Sequence, residues 1–544
     1  MEIYDYIVVG AGSSGCVVAS RLSEDPAVRV LLVEAGSDMN NFWVRTPAGA
    51  GKLFMDKRFN WAFNTEPVPT LGGRKVYWPR GKGLGGSSSI NGMIYMRGQP
   101  PDFNHWAALG NEGWGWADVL PYFMRSETNQ RGADPWHGGE GPLHVSDAAI
   151  THPTADDFIA AAQHIGIARR NDLNGPPHEG VAYRQYTIRN GRRHTSYNAF
   201  VEPVRHRRNL VVRTGVRVTR VLLEAGEATG IEVLENGERH SIGAAREVIL
   251  SGGALASPHL LMLSGIGDGA TLQRHGIVPA IESPEVGHNL QDHWFGALAW
   301  RVTAESSYNH RLRGLRKYLE GARYLLTRRG YLALGAAPVT AYARSEPGRP
   351  EADLQLTVSP MTFKIAPSGE PVIDDFPAIG ASVVLLTPDS RGHMELVSPD
   401  PLRAPAFHPN YLSAPGDIRR SIEGMRMMRR IAQAEPLASR LIHELSPGAP
   451  VTSDEQWLEH IKTNGNSGWH QVGTCRMGSD AQAVVNPRLR VRGARRLRVV
   501  DASIMPRIVA GNTNAACIMI GEKGADMIRA DALSARPAAR PAAH

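Results

Sequence analysis

Tyr6-Ile-Val-Val-Gly10-Ala-Gly12-Ser-Ser-Gly15-Cys-Val-Val-Ala-Ser-Arg-Leu22 stands almost at the start of the chain, and its pattern decides the fold. A short apolar run, a glycine turn and a helix over Cys16–Leu22 are followed by a second apolar run, Val28–Val33, that ends at Glu34. This is a βαβ unit. In Gly10-x-Gly12-x-x-Gly15, Gly10 allows the tight turn, Gly12 lets the backbone approach a pyrophosphate, and Gly15 lets the helix pack closely on the strand. The helix N-terminus, with Ser13 and Ser14 in its first turn, offers partial positive charge and free N–H groups to phosphates. Glu34, 19 residues after Gly15 and followed by Ala35, is placed to accept hydrogen bonds from the hydroxyls of an adenosine ribose. A carboxylate there disfavours a 2′-phosphate and so disfavours NADP. The element alone does not separate FAD from NAD.

The rest of the chain is large enough to hold such a cofactor. At 544 residues and 59.2 kDa it exceeds the size at which one core keeps growing, so two closely packed domains are expected. Hydrophobic residues make up 42% and charged residues 21%, ordinary globular values that exclude a disordered or fibrous chain. The net charge of +7 is modest for this length and does not call for a nucleic-acid partner. Cys16, Cys475 and Cys517 form no CxxC pair, which argues against a disulfide framework or a cysteine-built zinc site. No basic leader or cleavage site precedes the first strand, and no apolar run is long enough to span a bilayer, so a cytoplasmic location is the default.

Short β-rich runs at 210–212, 216–223, 230–233 and 247–250 suggest strands in which parallel and antiparallel pairing mix. From about Val302 to Gly465 the pattern is irregular and carries no nucleotide motif, which assigns it to a substrate domain. Within it, residues 311–329 place Leu312, Leu315, Leu319, Ala322 and Leu326 on one helical face, with seven basic residues mostly elsewhere. The reading adopted is a helix of the substrate domain with a solvated basic face; peripheral contact with a membrane surface is the alternative. Ala530–His544, rich in alanine, proline and arginine, is expected to fray or be disordered.

Five further segments go together. Pro79-Arg-Gly-Lys-Gly-Leu-Gly-Gly-Ser-Ser-Ser-Ile-Asn-Gly-Met-Ile-Tyr95 and Gly253-Ala-Leu-Ala-Ser-Pro-His-Leu-Leu-Met-Leu-Ser-Gly-Ile-Gly267 resemble the two signatures of the glucose–methanol–choline (GMC) oxidoreductases. Gly468-Trp-His-Gln-Val-Gly-Thr-Cys-Arg-Met-Gly478, Val499-Val-Asp-Ala-Ser-Ile-Met-Pro506 and Gly511-Asn-Thr-Asn514 are similar to the segments that surround the flavin in that family. The resemblance implies an α/β (α+β) fold with a Rossmann-like FAD-binding domain, discontinuous over 1–150, 195–300 and 466–532. A substrate-binding domain on a mostly antiparallel sheet with helices would take 151–194 and 301–465, leaving 533–544 as a disordered tail. It implies FAD contacts from Gly83 and Gly86 in the glycine loop, Asn91, Gly92, Met93 and Ile94 along the isoalloxazine and ribityl parts, Val218 at the adenine, and Trp469 and Asp501. Some members attach FAD through a histidine in the first signature; the corresponding residue here, Ile90, cannot form that bond, so the FAD is expected to be non-covalent.

Oxidising an alcohol removes the hydroxyl proton while hydride leaves the α-carbon for the flavin, which requires a base beside it that works near neutral pH. Histidine suits that role. The resemblance carries it to His470 and carries the partner role to Asn514, 44 residues later, which would hold the substrate oxygen. Other chemistries lack their motifs: there is no G-x-S-x-G elbow, no H-E-x-x-H, and no metal site is expected. The expected partners are a small primary alcohol and, as electron acceptor, oxygen or a quinone-type carrier. The indole beside His470 favours an aryl or apolar alcohol, with choline oxidation as the alternative. A lyase or photodecarboxylase on the same fold and a non-catalytic flavin binder are more distant readings.

Overall fold

A computed structural model describes residues 2–365 and 371–534, with the side chains of Ile365 and Pro371 left aside. The opening unit forms as its sequence demands. Strand β1 (Glu2–Val9) pairs in parallel with β2 (Val30–Glu34), Tyr6 opposite Val30 through Val9 opposite Val33, and helix α1 (Ser13–Leu22) crosses between them. Ile7, Val8, Leu31 and Leu32 are fully buried, because a central parallel strand is covered on both faces and its apolar residues need not alternate.

Strand β3 (Leu210–Thr214) adds in parallel beyond β2, while β4 (Arg217–Glu224), β5 (Glu227–Glu235) and β6 (Glu238–Leu250) form an antiparallel meander. The 13-residue β6 joins the two modes: it is antiparallel to β5 at its start and parallel to β1 along its length. Strand β7 (Leu497–Val499) closes beside β6, giving the order β3-β2-β1-β6-β5-β4 with β7 off β6. Helix α2 (Gly253–Leu263) follows β6 and carries its N-terminus back to the glycine turn of β1.

The second sheet is antiparallel throughout. Its strands run in the spatial order 441–446, 294–302, 378–385, 354–359, 339–343 and 180–183, with 466–467 paired to the start of 294–302. The boundary expected at residue 300 therefore cuts a strand: Trp294–Val302 alternates buried and half-buried side chains and belongs wholly to the second sheet. The chain enters the second sheet at Trp294, directly after the polar segment 289–293.

Helix α3 (Arg316–Thr327) corrects a second expectation. It buries only Tyr324, whereas Leu315, Leu319 and Leu326 are 82%, 69% and 85% exposed. Its apolar stripe faces solvent instead of packing on the substrate domain, since Tyr324 points to the body of the protein from the other side. The last helix, α4 (Asn514–Ser534), lies on α1, where Ser14 Oγ donates to the Cys517 carbonyl at 2.7 Å and the fully buried Glu522 pairs with Arg21 and Arg125. Removing Glu522 would leave both arginines without their shared carboxylate, so this network ties the last helix to α1. Ala530–Ser534, expected to fray, are helical; residues 535–544 lie outside the described residues. Among the described residues no helix is long and apolar enough to cross a membrane.

Candidate active site

Loops at the C-terminal ends of β1, β2 and β6 open with loops of the second sheet onto a single cavity of about 1960 Å³. That is roughly twice the upper end of ordinary small-molecule pockets, enough for a dinucleotide and a substrate together.

One part of the lining is the glycine turn of β1 and the first turn of α1. The first turn of α1 has no acidic residue and no side-chain cap at Gly12, so its N–H groups are left for a ligand. A methyl group added to Gly15 would stand 1.9 Å from the Gly10 carbonyl oxygen, inside the protein. One added to Gly12 would meet nothing nearer than the Ser251 carbonyl oxygen at 3.8 Å, at the wall of the cavity. Gly15 therefore serves helix packing and Gly12 serves whatever fills the cavity. Gly12→Ala is expected to fold with an unchanged melting temperature as apoprotein yet bind FAD about 10-fold more weakly, the low end of an overpacking cost of about 1–3 kcal/mol. Fluorescence titration of the apoprotein checks it; unaltered affinity would remove Gly12 from the binding surface.

Glu34 is buried, and its carboxylate accepts from the Ala11 N–H at 3.0 Å and the Gly36 N–H at 2.9 Å while still lining the cavity with Ala35. Burial raises its pKa against the lowering effect of those N–H groups. Ser13, Ser14, Gly86, Asn91, Gly92, Met93, Ile94, Val218, Trp469 and Asp501 also line the cavity, as does Ile90, so the residues present fit FAD. Gly83 does not line it. Its φ of +140° and a Cβ position 2.6 Å from the Ser37 carbonyl oxygen show a glycine required by its contact with the segment after β2. Asp501 spends its oxygens on Gly253 N–H, Ser257 Oγ and Ser503, pinning the start of α2 to the turn after β7. Arg193, not singled out in the sequence, is buried and fastens the glycine loop by donating to the Asn91 carbonyl and Oδ1 at 2.6 and 2.9 Å.

A second part of the lining centres on His470. Trp469 before it has φ of +60°, its indole packs on Phe54 with ring centroids 4.7 Å apart, and its carbonyl accepts from Arg80. Buried Asp292 holds the His470 backbone N–H at 2.7 Å and also accepts from Tyr411, Ser467 and Gln471. The imidazole itself is bound on both nitrogens, to His293 Nδ1 at 2.9 Å and to Asn512 Nδ2 at 3.0 Å. Gly468 makes room for this pair: a Cβ there would come within 3.1 Å of both His470 Nδ1 and His293 Cβ. Asn514, expected as the partner, instead starts α4 and accepts from Ser13 Oγ at 2.7 Å. The two asparagines lie two residues apart around a helix start and both line the cavity; Asn512 is the one hydrogen-bonded to His470.

The chain of hydrogen bonds fixes the protons. His293 Nε2 lies 2.9 Å from the Leu386 carbonyl oxygen, which can only accept, so Nε2 carries the hydrogen. Burial pushes His293 down to about 4, so at neutral pH its Nδ1 is a lone pair and the Nδ1 of His470 must be the donor between them. Burial, then the neighbouring His293, Arg80 and Arg184, hold His470 well below the usual imidazole range. Its Nε2 is thus an unprotonated nitrogen with the Asn512 amide donating to it. Asn512 Oδ1 is buried with no partner among the described residues. His293, Asp292 and Asn512 went unread in the sequence. For Asn512 the signal was its place in Gly511-Asn-Thr-Asn514; for Asp292 and His293 it was the density of amides and acids in Asn289-Leu-Gln-Asp-His293, unusual for a segment that proves largely buried.

Two family models described as GMC oxidoreductase match residues 4–295 and 388–521. The chain is 41% identical over 534 residues to alcohol dehydrogenase [acceptor] of Pseudomonas putida, covering 97% of this chain and 96% of that one. It is 40% identical over 535 residues to the mitochondrial choline dehydrogenase of Mus musculus, covering 97% and 89%. Pyridoxine 4-oxidase from Mesorbium loti superposes with a TM-score of 0.87 at 32% identity over 97% of this chain and 99% of that one. With sheet, cavity and relatives in agreement over nearly its whole length, the chain belongs to the GMC oxidoreductase family and is an FAD-dependent oxidoreductase acting on CH–OH donors.

Proposed function

We propose that the protein oxidises a primary alcohol, aryl or apolar in character, to the aldehyde, with His470 as the base. The observation that carries this reading is the unprotonated Nε2 of His470, held toward the cavity by His293 on one side and met by Asn512 on the other. The substrate hydroxyl would displace the Asn512 amide from the single lone pair of Nε2, donating there and accepting from the released amide N–H, so that the proton ends on His470 as the C–H bond is aligned. Bound FAD supplies the hydride acceptor. The imidazolium keeps its Nδ1–H bond to His293, while Arg80 and Arg184 disfavour its persistence and favour release of the proton.

Two features support an uncharged, flat substrate. The Trp469 indole and Phe54 form an aromatic wall, and the buried guanidinium groups near His470 oppose a quaternary ammonium ion. Choline oxidation is the second reading, supported by the names of four relatives at 38–40% identity. Anaerobic mixing with benzyl alcohol, a linear primary alcohol series and choline separates the two. Bleaching by the first two groups is expected; bleaching by choline alone would transfer the assignment, and none by any alcohol would sink it. Oxygen uptake measured beside reduction of an artificial quinone identifies the acceptor. Acid precipitation should leave FAD in the supernatant, as Ile90 permits no covalent link.

The partner assignment has its own test. Asn512→Ala should slow flavin reduction by about 10-fold, the worth of one hydrogen bond of about 1.5 kcal/mol. Asn514→Ala should leave that rate near the parent's and alter FAD retention through Ser13. The reverse pattern in stopped-flow and gel-filtration measurements would return the partner role to Asn514.

A further inference from the structure

A hairpin on the outside of the cavity wall gathers three metal-ligating side chains. Strands 393–395 and 406–408 pair antiparallel with His393 directly opposite His408 and Met394 opposite Phe407. Side chains alternate along a strand, so buried Met394 and Phe407 point inward while His393, Glu395 and His408 share the outer face. The two imidazole rings lie 4.8 Å apart at 15°. His393 Nε2 is 3.0 Å from Glu395 Oε1, His408 Nε2 is 3.9 Å from Glu395 Oε2, and one ligand atom of each residue lies within 4.8 Å of the others.

We propose that His393, Glu395 and His408 form a binding site for a late first-row divalent cation, with Zn²⁺ as its reference occupant. Nitrogen and carboxylate ligands at about 2.0–2.2 Å from tetrahedral zinc stand about 3.3–3.6 Å apart. The separations on the hairpin bracket that spacing and need only side-chain adjustment. Two imidazoles with one carboxylate suit zinc and its neighbours, not Mg²⁺ or Ca²⁺, which take mostly oxygen ligands. The backbone beneath is fixed: Gly392 and Leu290 exchange hydrogen bonds at 2.8 and 2.9 Å, and the Met394 N–H donates to the Gly287 carbonyl at 2.9 Å. His288 rides on that adjoining segment with its ring 5.7 Å from that of His393, within reach as a fourth ligand. Linear spacing conceals the site, because strand register, not sequence, pairs residues 393 and 408.

Its position gives the cation a consequence. The stretch between the two strands lines the cavity through Pro401, Leu402, Ala404 and Pro405, and the Pro401 carbonyl accepts from Arg217, next to Val218. A cation joining the two strands closes the ends of this loop and braces the wall beside the expected adenine position.

Tag-free holoenzyme, stripped with a chelator and titrated with Zn²⁺ against a chromogenic competitor, tests the proposal. One Zn²⁺ per chain at micromolar affinity is expected, unaffected by excess Mg²⁺, together with a rise in melting temperature. His393→Ala/His408→Ala, with flavin absorbance confirming the fold, should bind at least about 100-fold more weakly, beyond the 10–100-fold of a lost outer-shell partner, and should show no thermal shift. Glu395→Gln, which keeps side-chain size, should weaken binding as well. Millimolar affinity in the parent, an unshifted parent melting temperature, or unchanged binding in the double variant would overturn the site, the last placing the cation elsewhere, such as at His293 and His470.

Discussion

Replacing His470 by alanine is expected to leave a folded, yellow protein whose flavin is reduced by alcohol about 10²–10⁴-fold more slowly, the usual contribution of a positioned general base. At 1.36 kcal/mol per tenfold, that is about 2.7–5.4 kcal/mol of barrier. Fold and cofactor should survive, because the loop is anchored through backbone atoms: Asp292 holds the His470 N–H and Arg80 holds the Trp469 carbonyl, and neither contact uses the imidazole. Anaerobic stopped-flow reduction gives the rate. The parent should also keep its kcat/KM on the acid side past pH 6.5, the ordinary imidazole value. The sign follows from the lowered pKa: the neutral base is present above the pKa of the folded state, so depressing that value extends activity to lower pH. A parent profile falling already above pH 6.5, or a variant reduced at the parent rate, would remove His470 from the role.

How much of this could be read in advance differs between fold and site. Residues 6–34 announce the βαβ unit because a buried parallel strand, a glycine turn and a helix each leave a local pattern. The reach of β6 into both halves of the sheet has no such signature, since one strand there serves two pairing modes. The stripe of α3 was legible as a stripe, but periodicity does not say whether a neighbour covers it, and Leu315, Leu319 and Leu326 face solvent. His470 was legible through its motif. Its companions were not: His293 comes from 177 residues away at the entry to the second sheet, and Asn512 differs from Asn514 only by which side of a helix start it occupies.

His293→Phe is expected to lower kcat for alcohol oxidation by about 100-fold with KM and FAD affinity little changed; for comparison, a misdirected tautomer in a serine-protease triad costs about 10⁴. The ring of phenylalanine keeps the packing but removes the acceptor for His470 Nδ1–H and the donor to the Leu386 carbonyl. Without that acceptor the imidazole is free to carry its hydrogen on Nε2, and in that form it cannot take the substrate proton. Leaving the Leu386 carbonyl without its donor lowers thermal stability in either case, so FAD affinity is the discriminator: a structural lesion would lower it together with rate, whereas loss of a tautomer lowers rate and leaves it unchanged. His293→Gln distinguishes the two further, since its amide oxygen can accept from His470 while its nitrogen donates to Leu386, restoring the sequence of donors and acceptors. Recovery of most of the rate in the glutamine variant is the expected outcome. Equal losses in both variants, or a loss carried by KM, would show that His293 acts by shape and not by fixing the proton on Nδ1 of His470.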